Sequence, residues 1–126
     1  MIFSLRLGAV LLALGVITGA FGAHGLKNIL DEYGKDVWEK AVLYHLIHAL
    51  GILAIGIMAK LELLPPGRGF TLSLLLAVGI LLFSGSLYVL AVSGIKWLGA
   101  ITPIGGTLFI VGWIWLALSI TAEINN

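Results

Sequence analysis

The sequence predicts an all-α integral membrane protein, a bundle of four spanning helices with a short amphipathic helix in the interface between the first two. Hydrophobic residues make up 60% of the chain and charged ones only 10%, against roughly 25% charged in typical globular proteins. The charges are clustered, seven of them falling between Lys27 and Lys40. Four apolar runs near the ~20 residues that a spanning helix needs fill most of what remains. Lipid selects for such a distribution, because a charge near the bilayer centre costs about 2.5–3.5 kcal/mol even on the lenient insertion scale. At 126 residues the chain is one domain by length.

The first span covers about 7–26 and carries no Asp, Glu, Lys or Arg. Gly8, Gly15, Gly19 and Gly22 recur on one face, and Gly15 with Gly19 forms a GxxxG pair. In lipid such a stripe lets another helix approach closely. Packing inside the chain's own bundle is the favoured use, and a homo-oligomer through the same four glycines is the alternative. Arg6 before the run, with Ala20 and Gly22 near its end, imitates a signal peptide, yet three spans would remain after cleavage.

A charged connection follows GAFGAHGL. Leu26, Ile29, Leu30, Tyr33 and Val37 fall at helical spacing, with Lys27, Asp31, Glu32 and Lys35 off that face. This predicts an interfacial amphipathic helix over about 26–34, ended by Gly34. Asp36 with Glu39 three residues on reads as a capping box that starts the second span, 37–59. Trp38 sits where an aromatic-belt residue belongs. Pro65-Pro66-Gly67 makes a helix-breaking turn, and the third span, 70–94, is uncharged. The short link Ile95–Trp97 makes spans three and four antiparallel neighbours. The fourth runs over 98–122, with Pro103 tolerated near its first turn and Gly105-Gly106 inviting close packing or a kink. Arg6, Lys60 and Arg68 on one side face Lys27, Lys35, Lys40 and Lys96 on the other, so the positive-inside rule selects no orientation.

A net charge of +1 without a basic stripe gives no case for nucleic acid. The absence of cysteine removes disulfides, thiolate metal sites and cysteine nucleophiles. Glycine-containing stretches such as GTLFIVG belong to membrane helices, not to phosphate loops after a strand. Nothing in the motifs calls for an enzyme or a cofactor.

Helix parity places the end of span one, the start of span two, the end of span three and the start of span four at one membrane face. Tyr44, His45 and His48 then lie roughly 10–17 Å along the helix from Val37 at ~1.5 Å per residue. His24, Ser84, Ser86, Tyr88, Thr102 and Thr107 fall in the same half of the bilayer, while Thr18 lies near mid-depth. Intramembrane polar groups usually face the bundle and find partners. The expectation is a polar pocket lined by His24, Tyr44, His45, His48, Ser84, Ser86, Tyr88 and Thr102. The simpler fate for each serine or threonine is a bond to its own i−4 carbonyl. His45 and His48, at i and i+3, with His24 from span one, would resemble a zinc sphere. His24 and His48 facing each other would suit a b-type haem. A hydrogen-bonded network that holds the helices in register is preferred over both, and a proton-coupled role remains open because histidine titrates near physiological pH.

At GAFGAHGL, WEKAVLYHLIHALGIL, LFSGSLYVLAVSG and ITPIGGTLFIVGW the chain resembles a family of small bacterial inner-membrane proteins, domain of unknown function 423. The resemblance spans nearly the whole chain and implies four transmembrane helices in the inner membrane, with no established activity, substrate or cofactor. His24 and His48 match the family's blocks. The resemblance also implies glutamine in many members at the position of His45, which argues against a shared three-histidine metal site. The first functional reading is a non-enzymatic binding or accessory protein for an unidentified small ligand. A small-solute or proton transporter acting as an oligomer is the second, and a histidine-coordinated metal or haem protein the third.

Overall fold

A computed structural model describes residues 2–121, which form four long helices and, among the described residues, no strand. Helix α1 is Ile2–His24, α2 is Glu32–Lys60, α3 is Arg68–Ser93 and α4 is Thr102–Ser119, the last preceded by a 3-10 segment, Lys96–Ala100. All four are long and apolar enough to cross a membrane. The end expected for span four, at residue 122, lies outside the described residues. Helix α1 begins ahead of Leu7, so Arg6 is exposed on its first turns, where a long stem can carry the charge toward the interface. Pro103 occupies the first turn of α4, as its missing N–H and fixed φ allow.

The connection between α1 and α2 departs from the expected interfacial helix. Residues 25–30 are turns, and α2 starts at Glu32 instead of Val37. The cap is Asp31, whose Oδ1 accepts the Gly34 N–H at 2.7 Å. Asp36 lies inside the helix and pairs with Lys40 at 2.9 Å. Starting α2 early lets Gly34 pack against the end of α3, where an added Cβ would stand 3.2 Å from the Ala91 carbonyl oxygen. Leu26 and Leu30 fold inward with Trp38 into a small cluster of their own. Trp38 is not a belt residue: it is 8% exposed, and its ring fills the space left by Gly22, where any Cβ would meet the indole nitrogen.

Helices α2 and α3 are the central pair, with α1 packed mainly on α2 and α4 mainly on α3. Ile52, Ile55, Leu72, Leu76 and Phe109 lie at the heart of the principal apolar cluster. The glycine stripe of α1 receives α2. Added Cβ atoms would stand 2.7 Å from the Leu53 nitrogen at Gly8, 2.5 Å from Leu46 Cδ2 at Gly15 and 3.3 Å from Val42 Cγ1 at Gly19. Gly8 and Gly15 thus lie against α2 and Gly22 against the Trp38 ring, while Gly19 has only Val42 near it. Gly105 does the same for α4, since a Cβ there would run into the Phe83 backbone nitrogen of α3. Outward faces are mostly apolar, as at Val10, Ile17, Leu81, Ile110 and Leu118.

Helix α2 ends in a Schellman-type turn, with Leu63 N–H bonded to Met58 O at 3.0 Å and Glu62 N–H to Ala59 O at 3.1 Å. Glu62 therefore sits at φ 59, the left-handed position that glycine usually takes. Replacing it, Glu62→Gly, is expected to raise unfolding stability by about 1 kcal/mol or less, read from reversible denaturation in mixed micelles. Gly105→Ala is expected to cost about 1–3 kcal/mol by overpacking the α3–α4 contact. Gly106→Ala should be close to neutral, because its Cβ would meet only the Phe83 ring at 3.6 Å.

Candidate functional site

The polar residues of the bundle interior meet in pairs and short chains. His45 of α2 reaches the Leu11 carbonyl oxygen of α1 through Nε2 at 2.8 Å and the Tyr88 hydroxyl of α3 through Nδ1 at 2.9 Å. A carbonyl only accepts, so Nε2 carries the proton of a neutral imidazole and Nδ1 accepts from the Tyr88 O–H. Tyr88 also contacts the Thr18 hydroxyl of α1 at 2.9 Å. With the tyrosine proton committed to His45, Thr18 is the donor there, sharing its proton with the Gly15 carbonyl oxygen at 3.0 Å. The Trp38 indole N–H donates to Thr18 O at 2.9 Å. Both ends of this chain stop on backbone carbonyls of α1, so it latches α1 onto α2 and α3.

The other interfaces have clasps of the same kind. Ser84 of α3 donates to the Ala41 carbonyl of α2 at 2.7 Å. Ser86 of α3 donates to its own Phe83 carbonyl at 2.9 Å and meets the Thr102 hydroxyl of α4 at 2.7 Å. Near the opposite membrane face Ser73 of α3 donates to Ser4 of α1 at 2.7 Å, both fully buried. Neither serine belongs to the expected polar pocket; their shared depth near two helix starts is the signal the sequence offers for this pair. Arg68 donates to Ser119 and lies 4.8 Å over the Trp115 ring. Thr107 bonds its own helix through Pro103 O at 2.8 Å. Among the described residues no buried side-chain nitrogen or oxygen lacks a partner.

His48 takes a different environment. Its Nδ1 donates to the Tyr44 carbonyl oxygen at 2.7 Å, and its ring stacks on Phe109 of α4 with centroids 3.5 Å apart. Trp113 and the half-exposed Tyr44, which rests on Phe83 at 4.3 Å, complete an aromatic contact between α2, α3 and α4. His24 is exposed at the end of α1. The two histidines are not brought face to face, and among the described residues no three His, Cys, Asp or Glu side chains gather as a metal-binding group. Of the eight residues expected to share a pocket, seven serve as helix contacts and only His24 lines a cavity.

That cavity is a groove of about 590 Å³ between the end of α1, the 25–30 turns and the start of α2, within the ~300–1,000 Å³ of ordinary ligand sites. Gly19, Val42, Leu43 and Leu46 line its deep end, and Leu30 and Trp38, both buried, back its middle. His24, Lys27, Lys35 and Glu39 line the end nearest water. Sequence reasoning missed it because Lys27 and Lys35 looked like the solvated side of an interfacial helix. The lining comes from three separate segments, and only their packing makes a groove.

The latch yields a prediction. Glutamine at position 45 offers an N–H to Leu11 and a carbonyl to Tyr88, the donor–acceptor order of the neutral imidazole. His45→Gln is therefore expected to retain near-native stability in mixed-micelle unfolding. His45→Leu and Tyr88→Phe should each lose about 0.6–2 kcal/mol and show non-additive losses when combined.

Comparison with known proteins agrees with this architecture. A family described as "Protein of unknown function (DUF423)" matches residues 18–106. A UPF0382 membrane protein of Staphylococcus saprophyticus is 51% identical over 112 residues, covering 89% of this chain and 91% of the relative. One from Staphylococcus haemolyticus is 48% identical over 113 residues, covering 90% of each chain. One from Bacillus subtilis is 45% identical over 113 residues, covering 90% of this chain and 91% of the relative. No solved structure matches the chain at a significant level. A multi-pass helical chain matched along most of its length by proteins named as membrane proteins, this protein belongs to the DUF423 family of membrane proteins of unknown function.

Proposed function

We propose that this chain is a non-enzymatic binding or accessory protein of the bacterial inner membrane that holds an amphiphilic molecule in the groove between α1 and α2. The observation that carries this reading is the groove's polarity gradient. Its lining passes from His24, Lys27, Lys35 and Glu39 at the water end to Gly19, Val42, Leu43 and Leu46 toward the bilayer, the order of headgroup and tail in a lipid-like molecule. Helices α1 and α2, in close contact at Gly8 and Gly15, part toward their ends at the 25–30 turns and leave space along the membrane normal, open to lipid on its outer side through Ala23 and Leu43.

The interior polar groups favour binding over transport. The His45–Tyr88–Thr18 chain ends on carbonyls that already belong to α1, and the serines are engaged in pairwise clasps. Such groups hold helices together and offer no continuous line of free donors and acceptors to a solute or proton. The groove lining also holds no Ser, Thr, Tyr or Cys side chain that could serve as the hydroxyl or thiol nucleophile of acyl or phosphoryl transfer.

A photoreactive fatty acid with a diazirine in its chain tests the proposal on the full chain in nanodiscs. Crosslinks are expected to concentrate on residues 19–24 and 38–46. Ala23→Trp, which adds bulk at an exposed groove position without touching the packed core, should reduce that labelling at least several-fold. Labelling spread evenly over Val10, Leu81 and Ile110, or unchanged by Ala23→Trp, would overturn it.

A further inference from the structure

We infer that the groove selects a phospholipid with a net-anionic headgroup, its phosphate held between Lys27 and Lys35 and an acyl chain laid along Gly19, Val42 and Leu46. This rests on the amphiphile-binding reading above and adds the chemical class of the occupant. The observation behind it is how the fold sorts charge. Between residues 27 and 40 the chain carries Lys27, Lys35 and Lys40 against Asp31, Glu32, Asp36 and Glu39, an acidic balance. The groove nevertheless takes two lysines and one carboxylate from this segment, together with His24, so its balance has the opposite sign.

Each acid left out is occupied or turned away for a reason of its own. Asp31 is the cap of α2 and accepts the Gly34 N–H. Asp36 holds Lys40 at 2.9 Å on an exposed part of α2, which removes one charge of each sign together. Glu32 is 98% exposed and reaches Lys35 only at 4.0 Å, a contact of little energy in water. Lys27 has no carboxylate within ion-pair distance among the described residues. Two cations therefore line the mouth of a groove whose deep end is apolar, the order in which a phospholipid presents its phosphate and its chains. Lysine attracts phosphate as a flexible point charge, and basic side chains near anionic lipid each contribute attraction that adds up.

Glu39 supplies the internal control. A carboxylate on the same rim opposes an anionic headgroup but would assist a zwitterionic one by receiving its ammonium.

The test uses the full chain in detergent, titrated by native mass spectrometry with dioleoyl phosphatidylglycerol, with the phosphatidylcholine and phosphatidylethanolamine of the same chains, and with inorganic phosphate. Expected are preferential binding of phosphatidylglycerol, no displacement by millimolar inorganic phosphate, a loss of roughly fivefold for each of Lys27→Gln and Lys35→Gln, and a gain for Glu39→Gln. All three substitutions are on exposed or partly exposed positions, and an unchanged unfolding midpoint for each confirms the fold. Equal binding of the three lipids overturns the inference, as does a Lys27→Gln/Lys35→Gln double variant with wild-type preference. A weakening on Glu39→Gln with phosphatidylethanolamine favoured replaces it with a zwitterionic ligand, and displacement by inorganic phosphate replaces it with a free anion. If the photoreactive fatty acid still maps to the groove while the headgroup preference is absent, the anionic assignment falls and amphiphile binding stands. Loss of both removes the groove as a binding site.

Discussion

Every polar atom that enters a bilayer must leave with a partner, because the hydrocarbon offers none. In this protein the partners are mostly on a neighbouring helix. His45 spans from the Leu11 carbonyl of α1 to Tyr88 of α3, Ser84 ties α3 to the α2 backbone, Ser86 meets Thr102 of α4, and Ser73 meets Ser4 of α1. These bonds set rotation and depth for helices whose surfaces are otherwise interchangeable apolar side chains. The net energy of any one is small, about 0.6 kcal/mol on average for interhelical bonds in lipid. Their contribution is specificity of register, since a wrong register leaves a polar atom bare.

Close approach is the condition that makes those bonds reach. Gly8 and Gly15 bring the α1 backbone against α2, which is why a side chain from α2 can bond an α1 carbonyl. Toward the interface the spacing changes character. Gly22 is filled by the Trp38 ring, Gly19 only grazes Val42, and the turns after His24 swing away before α2 begins. The groove opens where the glycine-mediated contact gives out. Structure and proposed binding thus share one origin, a helix pair in tight contact at depth that parts at the membrane surface.

Much of the architecture was legible in the residues themselves. Span number followed from run length and charge clustering, and the roles of Pro103 and Gly105 from backbone chemistry. What was not legible depends on tertiary choices. Asp36 with Glu39 looks like the helix cap, yet Asp31 takes that place, because Gly34 packs against Ala91 and α2 begins at Glu32. Trp38 looks like a belt residue until Gly22 is placed opposite it. Parity assigns Tyr88, His45, Ser84 and Thr102 to one half of the chain's frame, yet which groups meet depends on helix rotation. Helices apolar on nearly every side carry no amphipathic signal from which rotation is read. A common polar pocket was the natural expectation, whereas the molecule divides the same residues into clasps and leaves only His24 at the groove.

The sharpest check on this division is the protonation pattern of His45, observed by solid-state nitrogen NMR of the ring in lipid bilayers. A closed latch predicts a neutral imidazole with the proton on Nε2, through-bond coupling from that N–H toward the Leu11 carbonyl, and no water cross-peak. A ring protonated on Nδ1, or one in exchange with water, would place His45 in an open hydrated pocket and contradict the account.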